Sequence, residues 1–228
     1  SRRRRRRLRQ RVSMPARTRI KFCGLRDADG LAAAVAAGAD MVGFVLAPGG
    51  PRSLDPAAAV ALRAEVPAGV DAVMVVRNQS EILGTLPPGV LAQLHGEETE
   101  ADCAIAAGAT GRPVIRAIGW DADAPERIRR FDACPHVGLL LIDATRPGSG
   151  EPIDAAEHAT LAATMQTCAT PVGIAGGLDA ANVGAIIRRL APSLVDVSSG
   201  IESSRGVKDP RLMQAFAAAV RAADDAAG

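Results

Sequence analysis

Ile20-Lys21-Phe22-Cys23-Gly24 is the stretch that decides the fold, because it opens a pattern that repeats along the chain. A β-branched and aromatic residue alternate there with Lys21 and Cys23, and Gly24 ends the run. An alanine-rich segment of helical period, Asp27–Ala37, comes next and stops at Gly38. A second strand-like run, Met41–Leu46, then begins. Strand, helix and strand in this order form one β–α–β unit, whose two strands run parallel. The alternation continues to the end of the chain. Further strands are predicted at Ala72–Val76, Val90–His95, Pro113–Gly119, Gly138–Asp143, Pro171–Gly176 and Leu194–Ser199. Helices are predicted at Pro56–Glu65, Gln79–Leu86, Glu98–Ala107, Pro125–Phe131, Ala155–Gln166, Ala180–Leu190 and Pro210–Ala223. Strand starts recur at roughly 25-residue intervals, about the size of one βα repeat. Eight such repeats in 228 residues predict a single α/β domain, a closed (β/α)₈ TIM barrel. An open doubly wound sheet is the alternative. Its glycine fingerprint after the first strand is missing, since Cys23-Gly24-Leu25-Arg26 is not GxGxxG.

Strand phase assigns the faces. Side chains alternate with period two, so Ile20 and Phe22 share one face and Lys21 and Cys23 the other. Likewise Leu94 opposes Gln93 and His95, Leu140 and Ile142 oppose Asp143, and Val195 and Val197 oppose Asp196 and Ser198. The apolar sets suit the helix-covered outside, and the polar sets point inward near the C-terminal ends of the strands. Burying polar groups costs stability unless they are paired, and this barrel end is where the fold carries its active sites.

Composition narrows the class. Removing residues 1–13, with eight arginines and no acid, turns the formal charge of +2 into −6 for the rest. The body is therefore mildly acidic, and residues 1–18 read as a disordered Arg-rich extension ahead of a barrel domain at 19–228. An arginine run can bind phosphates of nucleic acid or membrane. The body offers no matching basic patch or aromatic interleaving, so no nucleic-acid partner is expected. No apolar region follows the arginines as in a signal peptide, and no apolar stretch suits a membrane span. Cys23, Cys103, Cys134 and Cys168 lie far apart without CxxC spacing, which speaks against zinc or a disulfide framework. A reducing, cytoplasmic setting is expected.

Chemistry gathers at the strand ends. Gly176-Gly177 closes the seventh strand and Ser198-Ser199-Gly200 the eighth, with Gly200–Arg205 read as a short extra helical turn. Glycine either serves the turn or lets backbone N–H groups approach phosphate oxygens; these two strands are the usual phosphate position of the fold. Cysteine is commonly a small buried hydrophobe, the reading for Cys103, Cys134 and Cys168. Cys23 differs in pointing inward beside Lys21, whose ammonium favours a thiolate able to act as base. Asp143 either caps its loop or acts as a general acid. His95 reads first as a satisfied core histidine. Arg52, in Gly50-Pro51-Arg52-Ser53, is either a solvated loop residue or an anion holder. Lys21 and Lys208 are the chain's two lysines; a Schiff-base aldolase would need one of them free in the pocket. No metal-ligand cluster is visible in the pattern.

The chain resembles the phosphoribosylanthranilate isomerase family. The matching pieces are Lys21-Phe22-Cys23-Gly24-Leu25, Gly38-Ala39-Asp40, Gly43-Phe44-Val45, Pro51-Arg52, Gln93-Leu94-His95-Gly96, Leu141-Ile142-Asp143, Ala175-Gly176-Gly177-Leu178, Asn182-Val183, Asp196–Glu202 and Gly206–Asp209, in order across residues 19–209. The resemblance implies an Amadori rearrangement of N-(5-phosphoribosyl)anthranilate to 1-(2-carboxyphenylamino)-1-deoxyribulose 5-phosphate in tryptophan biosynthesis. It implies Asp143 as acid and Cys23 as base. Arg52 would hold the anthranilate carboxylate, Asp196 would orient the substrate near its amine, and Gly177, Ser199 and Gly200 would hold the phosphate. Lys21 and His95 are further candidates. The implied partner is a phosphorylated small molecule, with no cofactor, no metal and a monomer or homodimer. Two departures stand out: Pro147-Gly148-Ser149-Gly150 replaces a Gly-Gly-Thr-Gly-like stretch, and Gly50 stands where the family often has Ser or Lys.

Two rival readings remain. A bifunctional isomerase that also handles the histidine-pathway aminoaldose resembles this fold but uses aspartates on strands one and five. Here those strands offer Cys23 and Ile118-Gly119-Trp120-Asp121. A non-catalytic sugar-phosphate or nucleic-acid binder would have no need of both proton-transfer groups.

Overall fold

The structure, a computed structural model, describes residues 17–144 and 155–226. The arginine run of residues 1–16 and the Pro147–Gly150 stretch lie outside the described residues. Eight parallel strands close into a barrel in sequence order: β1 (Arg19–Cys23), β2 (Met41–Val45), β3 (Asp71–Val76), β4 (Leu91–Leu94), β5 (Val114–Gly119), β6 (Val137–Asp143), β7 (Val172–Ala175) and β8 (Leu194–Val197). The pairing of Ile20 with Val195 and of Phe22 with Val197 joins β1 to β8 and closes the ring, which excludes an open sheet. Helices α1 (Ala28–Ala36), α2 (Pro56–Ala64), α3 (Ser80–Leu83), α4 (Glu100–Thr110), α5 (Ala124–Asp132), α6 (Ala155–Thr167), α7 (Val183–Leu190) and α8 (Pro210–Asp225) follow the strands in turn.

Capping residues set several helix starts. Asp27 accepts from Gly30 N at 2.7 Å, Asp55 accepts from Ala57 N, and Thr99 and Asp102 form a reciprocal capping box. Each cap satisfies amide donors that the first helical turn leaves unpaired, and stabilises its helix by about 1 kcal/mol. Expected and observed elements differ most at α3. A helix over Gln79–Leu86 is expected, and one turn forms, because Gln79 gives no side-chain cap and Gly84 is a poor helix former.

The alternation of faces separates two apolar layers. Ile20, Phe22, Phe44, Leu94, Leu140, Ile142, Val195 and Val197 belong to the large cluster between barrel and helices. There the Phe22 ring meets Phe216 of α8 edge-on, with centroids 6.1 Å apart. Cys23, Val73, Val75, Ile115, Leu139, Leu141 and Leu194 form the smaller cluster inside the barrel. Lys21, Gln93 and Asp196 are buried among the inward positions, in line with the strand phase.

Two local features depart from expectation. Gly200–Arg205 is not a helical turn: Ser199–Ile201 form a single 3₁₀ turn, and the antiparallel hairpin β9 (Glu202–Ser204) and β10 (Val207–Lys208) comes after it. Gly206, at φ 84°, makes the tight reversal. Arg17 and Thr18, assigned by sequence to the extension, are bonded to the barrel. The Arg17 guanidinium pairs with Asp40, and Thr18 donates through N and Oγ1 to Asp224 of α8. No helix among the described residues is long and apolar enough to cross a membrane.

Candidate active site

A cavity of about 550 Å³ opens at the C-terminal ends of the strands. Cys23 from β1, Asp143 from β6 and Asp196 from β8 line it, with Arg52, His95, Gly177 and Ser199 on the loops around them. Lys21 and Gly200 are not on its lining. The residues singled out by sequence therefore converge on one end of one barrel, although 175 residues separate Lys21 from Asp196, its partner where β1 meets β8.

Cys23 ends β1 and is a buried residue, at 8% exposure. Its register partner on β2 is Gly43. A Cβ at Gly43 would stand 2.9 Å from Cys23 Sγ and 3.1 Å from Lys21 Nζ. Glycine thus leaves the space in which thiol and ammonium approach each other. Burial pushes the Cys23 thiol up, and the neighbouring Lys21 charge offsets this only in part. Lys21 does draw the thiol toward thiolate, as the sequence reading expects, but desolvation is the larger effect.

Lys21 is fully buried and donates to Asp196 Oδ1 at 3.0 Å. Burial opposes its charge, but Asp196 and Cys23 outweigh that and hold the ammonium above its ordinary value. A Schiff-base lysine needs the opposite shift and a free amine. The ion pair removes the aldolase reading and fixes the Asp196 carboxylate at the cavity floor.

Asp143 closes β6 opposite Ala175 of β7 and Gly119 of β5. His95 lies beside it electrostatically, and burial lowers the imidazole below its ordinary range. Gln93 Nε2 stands 3.1 Å from His95 Nδ1, so the histidine is both partnered, as expected of a core residue, and part of the cavity wall.

The loop after β7 turns at Gly176 and Gly177, both with positive φ (90° and 62°), a conformation strained for other residues. Ser199 begins the 3₁₀ turn after β8. Gly200 packs against the neighbouring loop so closely that a Cβ would meet Leu178 O at 2.0 Å. Ser198 is turned to structure: its Oγ donates to Cys23 O at 3.0 Å and its carbonyl accepts from Lys208.

Arg52 reaches the cavity rim from the loop after β2, and its anion in this structure is Glu202. Nε donates to Oε1 at 2.7 Å and Nη2 to Oε2 at 2.9 Å. Sequence reasoning missed Glu202, Lys208 and Gln93 as site components. Gln93 was visible as an inward position on its strand. The Arg52–Glu202 pairing spans 150 residues and had no local signal.

A family model for N-(5'-phosphoribosyl)anthranilate isomerase matches residues 20–219. The chain belongs to the N-(5'-phosphoribosyl)anthranilate isomerase family. It is 41% identical to the N-(5'-phosphoribosyl)anthranilate isomerase of Bordetella petrii over 92% of this chain and 97% of that protein. The crystal structure of the Thermus thermophilus phosphoribosyl anthranilate isomerase superposes with TM-score 0.75 at 32% identity, covering 90% of this chain and 99% of that one. A phosphoribosyl anthranilate isomerase solved in complex with reduced 1-(o-carboxyphenylamino)-1-deoxyribulose 5-phosphate superposes with TM-score 0.73 at 27% identity, with the same coverage. Among the described residues no group of three or more His, Cys, Asp or Glu side chains is placed to hold a metal ion.

Proposed function

We propose that Cys23 and Asp143 are the base and acid of this protein's reaction. The activity is that of its family, the isomerisation of N-(5'-phosphoribosyl)anthranilate in tryptophan biosynthesis. The reaction converts an aminoaldose to an aminoketose. Asp143 gives a proton to the ribose ring oxygen, the C1–O bond breaks, and the nitrogen lone pair forms a protonated Schiff base at C1. The Cys23 thiolate takes the proton from C2, and the electron pair left behind forms the C1–C2 double bond of an enolamine. Tautomerisation gives the C2 ketone. Carbon 2 is oxidised as carbon 1 is reduced, so the electrons stay within the substrate.

The observation carrying this reading is the placement of a thiol and a carboxyl on β1 and β6, three strands apart round an eight-strand ring, in one cavity. Positioned groups on separate strands can act on separate substrate atoms, as a ring oxygen and C2 require. In the same reading Arg52 holds the anthranilate carboxylate and Asp196, oriented by Lys21, accepts from the bridging amine. Gly177, Ser199 and Gly200 hold the phosphate, and His95 stays neutral at the wall.

The phosphate assignment has its own test. Gly200→Ala puts a Cβ against the Leu178 carbonyl, which must move, and the two phosphate loops separate. KM for the substrate should rise by about tenfold or more, with kcat changing less, since the phosphate lies remote from the reacting carbons. An unchanged KM removes Gly200 from the phosphate site. The reading as a whole rests on steady-state turnover of N-(5-phosphoribosyl)anthranilate by the purified protein. Absence of turnover by folded protein would overturn it.

A further inference from the structure

Glu202 has no part in the proton transfers, yet its carboxylate is 4% exposed and bonded on every side that the described residues reach. It accepts from Arg52 Nε and Nη2 at 2.7 and 2.9 Å, from Lys208 Nζ at 2.8 Å and from Gly206 N at 3.1 Å. Burial opposes its charge, but the hydrogen bonds from Arg52, Lys208 and Gly206 pull its carboxyl down to about 2, so it is ionised throughout the neutral range.

Lys208 and Gly206 belong to the same hairpin as Glu202, and their bonds hold that hairpin closed. Arg52 comes from a different loop, the one after β2, and lines the cavity. Its stem crosses Gly24, where a Cβ would come within 2.6 Å of Arg52 Cδ. Stem and head are therefore both fixed.

A guanidinium presents two flat edges of paired N–H groups, Nε–Nη2 and Nη1–Nη2, and each matches one carboxylate. Glu202 takes the first edge. Nη1 donates to none of the described residues, which leaves the second edge for another carboxylate. The charges agree: Arg52 and Lys208 are two cations against one anion, so the cluster has one positive charge in excess.

We propose that Glu202 is a positioning residue that presents the second edge of Arg52 to the substrate's aromatic carboxylate, and so sets the preference for an anthranilate over an aniline. This rests on the assignment of that carboxylate to Arg52. The hairpin after β8 is then part of substrate recognition, working through an arginine on the loop two strands away round the ring.

The experiment compares N-(5-phosphoribosyl)anthranilate with N-(5-phosphoribosyl)aniline, which lacks the carboxylate. Glu202→Gln keeps the shape and removes the charge. Its KM for the anthranilate substrate should rise with kcat changing less. The ratio of kcat/KM values, anthranilate over aniline, should fall by about 10–100-fold, the scale of a charge-assisted hydrogen bond. An unchanged ratio, including one in which both substrates lose kcat/KM equally, overturns the proposal, because a merely structural role lowers both alike. If Glu202→Gln does not fold, Glu202→Asp keeps the charge and draws the carboxylate back by one methylene, and the same fall is required of it. Arg52→Gln separates the carboxylate contact from the positioning of the arginine. If it leaves the ratio unchanged, the carboxylate assignment fails. If it collapses the ratio while the Glu202 variants do not, the positioning role alone fails.

Discussion

Replacing Cys23 by alanine is expected to lower kcat by about 10²–10⁴-fold, the usual contribution of a positioned general base. The variant removes one sulfur from the barrel interior and leaves the Lys21–Asp196 ion pair intact, so the fold should persist. Far-UV circular dichroism and a thermal melt check that. Cys23→Ser keeps the size and offers a hydroxyl, a far weaker base, and should fall close to the alanine variant. The pH profile gives the sign. Burial raises the Cys23 thiol above its ordinary value, so the active thiolate is the minor form at neutral pH. In the wild type kcat/KM should therefore rise with pH through the neutral range and fall as pH drops. That rising limb should be absent from Cys23→Ser. A normal kcat in Cys23→Ala removes the base assignment.

Asp143→Asn should lower kcat by a similar factor, about 10²–10⁴-fold, through a different step. Asparagine fills the same volume and has no acidic proton to give the ring oxygen. Deuterium at C2 of the substrate distinguishes the two roles. When ring opening is slowed by Asp143→Asn, C–H cleavage ceases to limit the rate and the isotope effect should shrink toward unity. When proton removal is slowed by Cys23→Ser, the isotope effect should grow. The reverse pattern would exchange the two roles, and two unchanged isotope effects would mean that neither residue acts at its assigned atom.

The barrel was legible because its signals are local. A period of two in the strands, a helical period between them and glycine at the joints each act within a few residues, and eight repeats leave one closed topology. The same periodicity placed Lys21, Cys23, Gln93, Asp143 and Asp196 inward before any contact was known. Local signals failed where local and distant chemistry compete. Residues 200–205 offered a plausible helical turn, but the Glu202 carboxylate is drawn to Arg52 and Lys208, and a hairpin forms. The helix over 79–86 was cut to one turn by an uncapped start and Gly84.

The chain by itself determined which side chains enter the barrel and at which end they gather, since the strand period of two is a property of the backbone. Only the tertiary structure decided what those side chains are to each other. Lys21 is two residues from Cys23, yet its partner is Asp196, 175 residues away, and the thiol beside it is governed more by burial than by the ammonium. Arg52 reads in the sequence as an anion holder or a loop arginine, and only the fold puts Glu202 on its first edge. Charge pairing and desolvation depend on distances and on exclusion of water, and both arise only when the ring of strands closes.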